Sequence, residues 1–245
     1  MENHLHFDCL GSTSAYLKHL VETSVEQTWD DFYAITADRQ ENGRGRQQKT
    51  WESECGKNLL MSVLLRSQYT PQQQFYICRY VSLSLVEFLT NQLKMKNVYI
   101  KWPNDIYAGD RKIAGILIEH FLCGDKINYS IAGIGLNVNQ TVFPENIPNP
   151  TSVFLETNKE VSPAFCMEEI VKNMKKLSTY SPDMLENKYE QFLYKKDKYA
   201  HFLIPKKADC PIKAKIKTVT KHGLLHLLDE NNNSYYCALN EVVYL

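Results

Sequence analysis

Four short segments of this chain hold the residue types on which chemistry can be built. The first, Gly43-Arg44-Gly45-Arg46, alternates glycine with arginine. Glycine lets a backbone come close to a ligand and offer its N–H groups, while guanidinium supplies forked donors that suit phosphate or carboxylate. Trp51 follows in an otherwise polar stretch, where an indole either anchors the loop or stacks on a planar ligand such as adenine. The second segment is Lys101-Trp102-Pro103-Asn104-Asp105. Pro103 breaks a strand ladder and keeps Trp102 out of helical geometry, so the chain turns and presents Asn104 and Asp105 at a strand end. An amide and a carboxylate beside a lysine suit a magnesium–phosphate group better than zinc, and the plain alternative is an Asn-Asp turn.

The third segment, Lys112-Ile113-Ala114-Gly115-Ile116-Leu117-Ile118-Glu119, brings a lysine into an apolar strand. A hairpin across Gly109-Asp110 is expected to set Lys112 beside Asp105 at its base. The fourth, Ala132-Gly133-Ile134-Gly135-Leu136-Asn137-Val138-Asn139, lacks the third glycine of the dinucleotide fingerprint. It runs toward Pro144 rather than into a helix, so a Rossmann reading fails. Two glycines in a strand instead permit close approach of a ligand or another backbone.

Other chemistries are poorly supplied. The seven cysteines (9, 55, 78, 123, 166, 210 and 237) are odd in number and at least 23 residues apart, with no CxxC pair for a zinc ribbon or redox site. His4 and His6 are spaced to flank a metal, but no further ligand lies near them in the sequence, and an exposed structural role is the expectation.

The elements that must position these residues follow from patterning. Ser12-Thr13-Ser14 is a helix N-cap ahead of Leu17 to Val21. Phe32 to Ile35 reads as a strand, Asp38 to Glu54 as a loop and Leu59 to Leu65 as a buried strand. Ile77, Val81, Leu85, Leu89 and Leu93, with Val86, predict an amphipathic helix of about five turns. Strands are expected at Val98 to Lys101, Ile106-Tyr107, Ile113 to Glu119 and Asn128 to Ile134, with turns at Gly109-Asp110 and Gly124-Asp125. Pro144, Pro148 and Pro150 mark an irregular connection, and helices are expected at Phe165 to Leu177 and Met184 to Leu193. From Lys195 to Lys221 nine lysines face two aspartates, and from His222 to the end there are three acids and no Lys or Arg. The period-two run Lys213 to Lys217 and turns at Lys221 to Gly223 and Asn231 to Asn233 suggest a small β-barrel-like tail of about 50 residues, its lysines a solvated strand face.

In bulk the chain is neutral, with 28 Lys plus Arg against 28 Asp plus Glu in 245 residues. A protein that binds nucleic acid mainly through phosphate would carry a basic excess, so any phosphate contact here is local. With 44% hydrophobic and 23% charged residues the chain reads as globular, one large domain or a large and a small one. No run reaches the roughly 18 apolar residues of a membrane span, and Met1 to Leu10 lacks the basic and apolar regions of a secretory signal. No membrane partner and a cytoplasmic location are expected.

In this order and spacing the four segments resemble the catalytic core of biotin protein ligases (biotin–acetyl-CoA-carboxylase ligases), from about Leu10 to Asn139 by motif and more loosely to the end. The resemblance implies an α+β fold: a class II aminoacyl-tRNA synthetase-like catalytic domain with helices against a mixed sheet (1–195), and a small C-terminal SH3-like β-barrel (196–245). It implies two steps. Biotin and Mg-ATP give biotinyl-5′-AMP and pyrophosphate, and the acyl group then passes to a lysine of a biotin carboxyl carrier domain. No tightly bound prosthetic group is implied. Matched to this sequence, Ser12, Thr13, Ser14, Gln40, Arg44, Gly45, Arg46, Lys112, Gly115, Gly133 and Gly135 are the biotin-binding residues. Arg46, Trp51, Asn104, Lys112 and Asn137 bind ATP, Asp105 takes the magnesium, and Lys112, Arg46, Arg44 and Asp105 carry the chemistry. Gln47, Gln48, Lys49 and Thr50 depart from the family's usual loop, so no role is carried onto Lys49.

Larger members carry an N-terminal helix-turn-helix that represses transcription. Here the Ser-Thr-Ser segment begins at residue 12, so the likeness is to a short form, with no DNA partner and no repressor function expected. Family members are monomers or dimerise through an exposed sheet edge, which leaves a homodimer open. Lipoate ligases and octanoyltransferases share the fold class and are the enzymatic alternative. An RNA-binding module built on the Gly-Arg loop and lysine-rich tail is the non-enzymatic one.

Overall fold

A computed structural model describes residues 3–23, 29–46, 50–67, 69–205 and 210–245. Gln47, Gln48 and Lys49, where the loop departs from the family pattern, lie outside the described residues, as do Lys206, Lys207 and Asp209 of the lysine-rich stretch.

The strand Leu59–Leu65 (β3) is apolar at every position but Ser62, and all seven residues are buried. A continuous apolar run of this length needs cover on both sheet faces, and the fold supplies it. β3 lies inside a seven-stranded mixed sheet with β1 (His4–Leu10), β2 (Ala34–Gln40), β4 (Val98–Lys101), β5 (Asp105–Ala108), β6 (Arg111–Cys123) and β7 (Lys126–Leu136). The order is β1-β2-β3-β7-β6-β5-β4, with β1 parallel to β2 and the other pairs antiparallel. On one face α1 (Thr13–Thr23) packs Leu17 against Tyr33, Ile35, Leu64, Tyr129 and Ile131. The opposite face carries α2 (Phe75–Glu87) and α4 (Pro163–Leu177), with α5 (Pro182–Gln191) against α2.

Several expectations need correction. β1 was not expected, because its alternation of His4, His6 and Asp8 with Leu5 and Phe7 is too polar to announce a strand; it is an edge strand, where such residues are tolerated. The polar segment set down as a loop from Asp38 begins only after Gln40, since Cys9 and Leu10 pair with Arg39 and Gln40 and continue β2. The helix read as amphipathic is buried all round: from Phe75 to Leu89 every residue but Cys78 is buried, because the sheet, α4, α5 and the C-terminal segment enclose it. A wider π-type turn, Phe88–Gln92, continues it. The irregular connection holds a short helix, α3 (Val153–Thr157), capped by the Ser152 hydroxyl.

The C-terminal segment forms a separate five-stranded antiparallel sheet of β8 (Tyr199–Leu203), β9 (Ile212–Val219), β10 (Leu225–Asp229), β11 (Ser234–Cys237) and β12 (Val243–Tyr244), in the order β11-β10-β9-β8-β12. Its Phe202, Ile216, Val219 and Leu227 join the same continuous core as Phe75 and Ile77 of α2. Polar contacts seal the junction. The fully buried Arg79 of α2 donates to the carbonyls of Val219 (2.9 Å) and Thr220 (3.4 Å) and to Glu186 of α5 (3.0 Å). Trp102 Nε1 donates to the Gly223 carbonyl at 3.0 Å. Gly223 has φ +84°, and a Cβ there would stand 2.8 Å from the Phe75 ring, so turn conformation and close packing both call for glycine.

Arg79→Met should cost about 2–4 kcal/mol, since it takes the guanidinium donor from the buried Val219 carbonyl and leaves Glu186 without its ion-pair partner, while Thr220 O keeps its bond from Gly223 N. Urea unfolding reads this as a lower midpoint at unchanged slope, and a loss under about 0.5 kcal/mol would show that the guanidinium does not seal the junction.

Candidate functional site

The face that α1 covers at one side of the sheet is left open at the other, and there the four segments meet in a cleft of about 920 Å³. Its floor is set by register. Gly115 pairs with Gly135 and Leu117 with Gly133, and Gly133 pairs on its other side with Ser62 of β3. Three glycines and a serine on adjoining strands clear the sheet of bulk where helical cover stops.

One end is built by the start of α1. The Ser12 hydroxyl accepts from Ala15 N at 3.4 Å, the expected N-cap. Gln40, at the end of β2, accepts from the Thr13 backbone N–H (2.7 Å) and hydroxyl (3.0 Å). Thr13 and Ser14 hydroxyls lie 2.7 and 2.8 Å from that of Ser62. A fully buried serine thus ties Thr13 and Ser14 of the Ser-Thr-Ser segment to the floor. Sequence reasoning missed Ser62, although a lone hydroxyl inside Leu-Leu-Met-Ser-Val-Leu-Leu is a legible signal.

At the other end Lys112 Nζ sits 2.7 Å from Asp105 Oδ1, as the hairpin reading expected. The route is less direct than a plain hairpin. Asp105 pairs with Gly115 and Tyr107 with Lys112, with a bulge after Ile106. Lys112 and Gly115 are three apart, so strict alternation would send them to opposite faces; the extra residue turns Lys112 to the glycine side. The Lys112 N–H donates to Asn149 O (2.7 Å) and its carbonyl accepts from Thr151 N (2.9 Å), which fastens the bulged strand to the 149–151 connection. Asn137, on the same wall, donates its amide to Thr151 O at 2.9 Å.

The arginine loop closes over this end. Arg46 reaches Asn104 Oδ1 at 3.4 Å and Asn240 Oδ1 of the C-terminal segment at 3.5 Å, and Asn104 donates to Ile116 O at 2.8 Å. Burial draws the Arg46 guanidinium below the usual arginine range, against the opposing pull of Cys78 and Asp105. Arg44 is exposed and bridges Thr50, so the loop folds back on itself. The Trp51 indole lies flat over the floor: a Cβ on Gly135 would stand 2.6 Å from its Cζ2, and one on Gly115 3.0 Å from its Cζ3. Lys112 Nζ is 5.7 Å from the ring centroid, and the buried Trp51 Nε1–H has no hydrogen-bond partner among the described residues.

All fifteen residues singled out from the sequence line the cleft: Ser12, Thr13, Ser14, Gln40, Arg44, Gly45, Arg46, Trp51, Asn104, Asp105, Lys112, Gly115, Gly133, Gly135 and Asn137. Lys101, the lysine that opens the second segment, lines it too, and lining residues not foreseen include Tyr107, Asn240 and Tyr244. Lys101 Nζ donates to Tyr107 OH at 3.0 Å and stands 4.9 Å from the Tyr244 ring; burial lowers its pKa, with Asp105 opposing. Asn240 and Tyr244 arrive from the C-terminal sheet, far along the chain, and no local pattern marks them. As a metal donor Asp105 is a single carboxylate beside Asn104, a set that fits magnesium carried in by substrate phosphates rather than held by a protein cage.

The chain is similar to known proteins along much of its length. The family described as biotin/lipoate A/B protein ligase matches residues 7–137. The "Bifunctional ligase/repressor BirA" of Bacillus subtilis is 29% identical over 175 residues, 70% of this chain and 52% of that protein. The "Biotin--[acetyl-CoA-carboxylase] ligase" of Mycobacterium tuberculosis is 29% identical over 147 residues, 58% of this chain and 52% of that one. The chain thus spans about half the length of these curated relatives. The solved biotin protein ligase from Aquifex aeolicus, in complex with biotin and ATP, superposes with a TM-score of 0.77 at 26% identity, covering 100% of this chain and 99% of that one.

Gly135→Ala should unseat the indole, and Trp emission should move to the red with greater acrylamide quenching; an unchanged spectrum would mean that the ring does not rest on Gly135. Burial pushes the thiols of Cys78, behind the Pro103 turn, and Cys166 up to about 11 and about 12. A raised thiol pKa removes thiolate, so near pH 8 only about one part in a thousand or less is reactive at these two. A disulfide reagent should label the exposed Cys9, Cys55, Cys123 and Cys210 and spare both until the chain unfolds; early labelling of Cys166 would contradict this.

Proposed function

Because the chain belongs to the biotin/lipoate A/B protein ligase family, we propose that it is an ATP-dependent biotin protein ligase. It activates biotin as biotinyl-5′-AMP and transfers the acyl group to a lysine of a biotin carboxyl carrier domain. The observation that carries this reading is the convergence of the four segments on one cleft, with the Lys112–Asp105 pair, Arg46 and Trp51 at the same end. The likeness to ligases whose names specify biotin favours it over lipoate chemistry.

In the first step a biotin carboxylate oxygen attacks the α-phosphorus of ATP, the acyl–phosphate bond forms, and the bond to pyrophosphate breaks. Two anions must be held together while charge builds on the α-phosphate. Lys112 and Arg46 provide fixed cations for this in a partly buried site, and Arg44 and the glycine N–H groups add donors from the loop. Ser12, Thr13, Ser14 and Gln40 orient the biotin head group at the α1 end, above Gly133 and Gly135. Trp51, Asn104 and Asn137 flank the nucleotide. Asp105 and Asn104 would hold a magnesium ion bound to ATP, which would offset phosphate charge there. In the second step the carrier lysine amine attacks the acyl carbon, AMP leaves, and the amine loses a proton. Closure of the loop shields the mixed anhydride from water in between.

The reading includes a class II synthetase-like catalytic domain over 1–195 and an SH3-like barrel over 196–245. It includes a cytoplasmic setting and no DNA partner, with sedimentation to decide between monomer and homodimer. Among the described residues no helix is long and apolar enough to cross a membrane.

Biotin-dependent ATP–pyrophosphate exchange tests the first step, and its absence with purified protein would overturn the proposal. Exchange driven by lipoate and not by biotin would reassign the substrate. Lys112→Ala should lower the exchange rate about 100-fold or more, the scale of removing one fixed donor to a developing oxyanion. Near-normal exchange in that variant would remove Lys112 from the chemistry.

A further inference from the structure

On the sheet face opposite the cleft, the parallel pairing of β1 with β2 assembles a second group of polar residues. His4, His6 and Asp8 share one face of β1 by period two, and Thr36 and Asp38 share the matching face of β2, with His6 opposite Thr36. Asp8 and Asp38 stand between the Phe7–Ala37 and Cys9–Arg39 pairs, so two carboxylates lie side by side on neighbouring strands. Like charges placed so repel and weaken the pairing unless a cation joins them. His6 Nε2 is 3.6 Å from Asp38 Oδ1, and donor atoms of His6, Asp8 and Asp38 all lie within 4.8 Å of one another. Among the described residues no other group of three metal-ligating side chains is drawn together in this way.

The surroundings of His6 suit it to ligation. Its Nδ1 is 3.0 Å from the Thr36 hydroxyl, which is also 2.8 Å from His4 Nε2. A hydroxyl between two imidazoles donates to one and accepts from the other. With Thr36 donating to His4 and accepting from His6 Nδ1–H, the lone pair of His6 falls on Nε2, the atom that faces Asp38. Such orientation of a ligating imidazole through its second nitrogen is the usual support of a protein metal site. Ligands on a common zinc-type ion, with bonds of about 2.0–2.2 Å, are roughly 3.4 Å apart, close to the His6–Asp38 separation.

We propose that His6, Asp8 and Asp38 bind a divalent transition-metal ion of the zinc type, with Thr36 as the positioning residue and water completing the coordination. The ion clips edge strand β1 to β2, joining by coordination what is otherwise a parallel pair at the margin of the sheet. The three ligands come from outside the cleft, so the site stands or falls independently of the substrate assigned above.

The test is a calorimetric titration of the chelator-treated full chain with Zn2+, without nucleotide, beside Asp8→Asn/Asp38→Asn, His6→Gln and Thr36→Val variants. One zinc per chain is expected for the parent, with loss of that site in the first two variants and about tenfold weaker binding in Thr36→Val. Zn2+ should also raise the melting temperature of the parent and slow amide exchange in His4–Leu10, and do neither in the double variant. Equal zinc binding by parent and double variant would overturn the proposal. So would a Co2+ spectrum with thiolate charge-transfer bands, which would assign the binding to exposed cysteines, or an affinity unchanged in Thr36→Val.

Discussion

The bulge after Ile106 decides which face of the sheet the cleft-lining lysine occupies. With regular pairing, Gly115 and Lys112 would point to opposite sides, and the ammonium would enter the apolar layer under α2 and α4 instead of the cleft. The extra residue puts Lys112 with Asp105 and the glycine floor, and the hydrogen bonds to Asn149 and Thr151 hold it there. Much of the cleft then follows. The 149–151 connection is fixed because it clasps the bulged strand, and Asn137 is held because its amide bonds to Thr151.

The remaining walls come from parts of the chain with no local relation to that strand. The start of α1 is tied to the floor through Ser62, and the C-terminal sheet delivers Asn240 and Tyr244. That sheet is seated by Arg79, Trp102 and the Phe75–Gly223 contact, all rooted in elements that also carry the cleft or its backing. Core packing and site assembly are therefore the same set of contacts at this junction, and a loss of stability there is felt as a displaced cleft wall.

The sequence was most informative where chemistry is local. Lys101 to Asp105 and the glycines of β7 could be read because a proline, a carboxylate or a missing side chain has the same meaning in any context. The β3 strand was read to its ends because seven buried residues leave no other solution. What stayed hidden was set by pairing. β1 looked like a polar terminus, since the histidines and aspartates of an edge strand carry no periodic apolar signal. Of the two carboxylates beside His6, Asp8 stands two residues on and was passed over, whereas Asp38 is brought to it by parallel pairing across 32 residues. The burial of α2 on every side reflects how many elements surround it, which its own spacing of leucines and valines could not express.

The seat of Trp51 on Gly115 and Gly135 makes the floor a shared resource. An indole at rest there has already shed its water, so a ligand that takes the same surface exchanges one flat apolar occupant for another rather than filling a wet void. The affinity of the cleft is then a difference between two tenants, and the looseness of the loop becomes part of the ligand's binding constant. A bulkier residue at either glycine would be felt first as a loop that cannot settle, well before any contact with substrate is made.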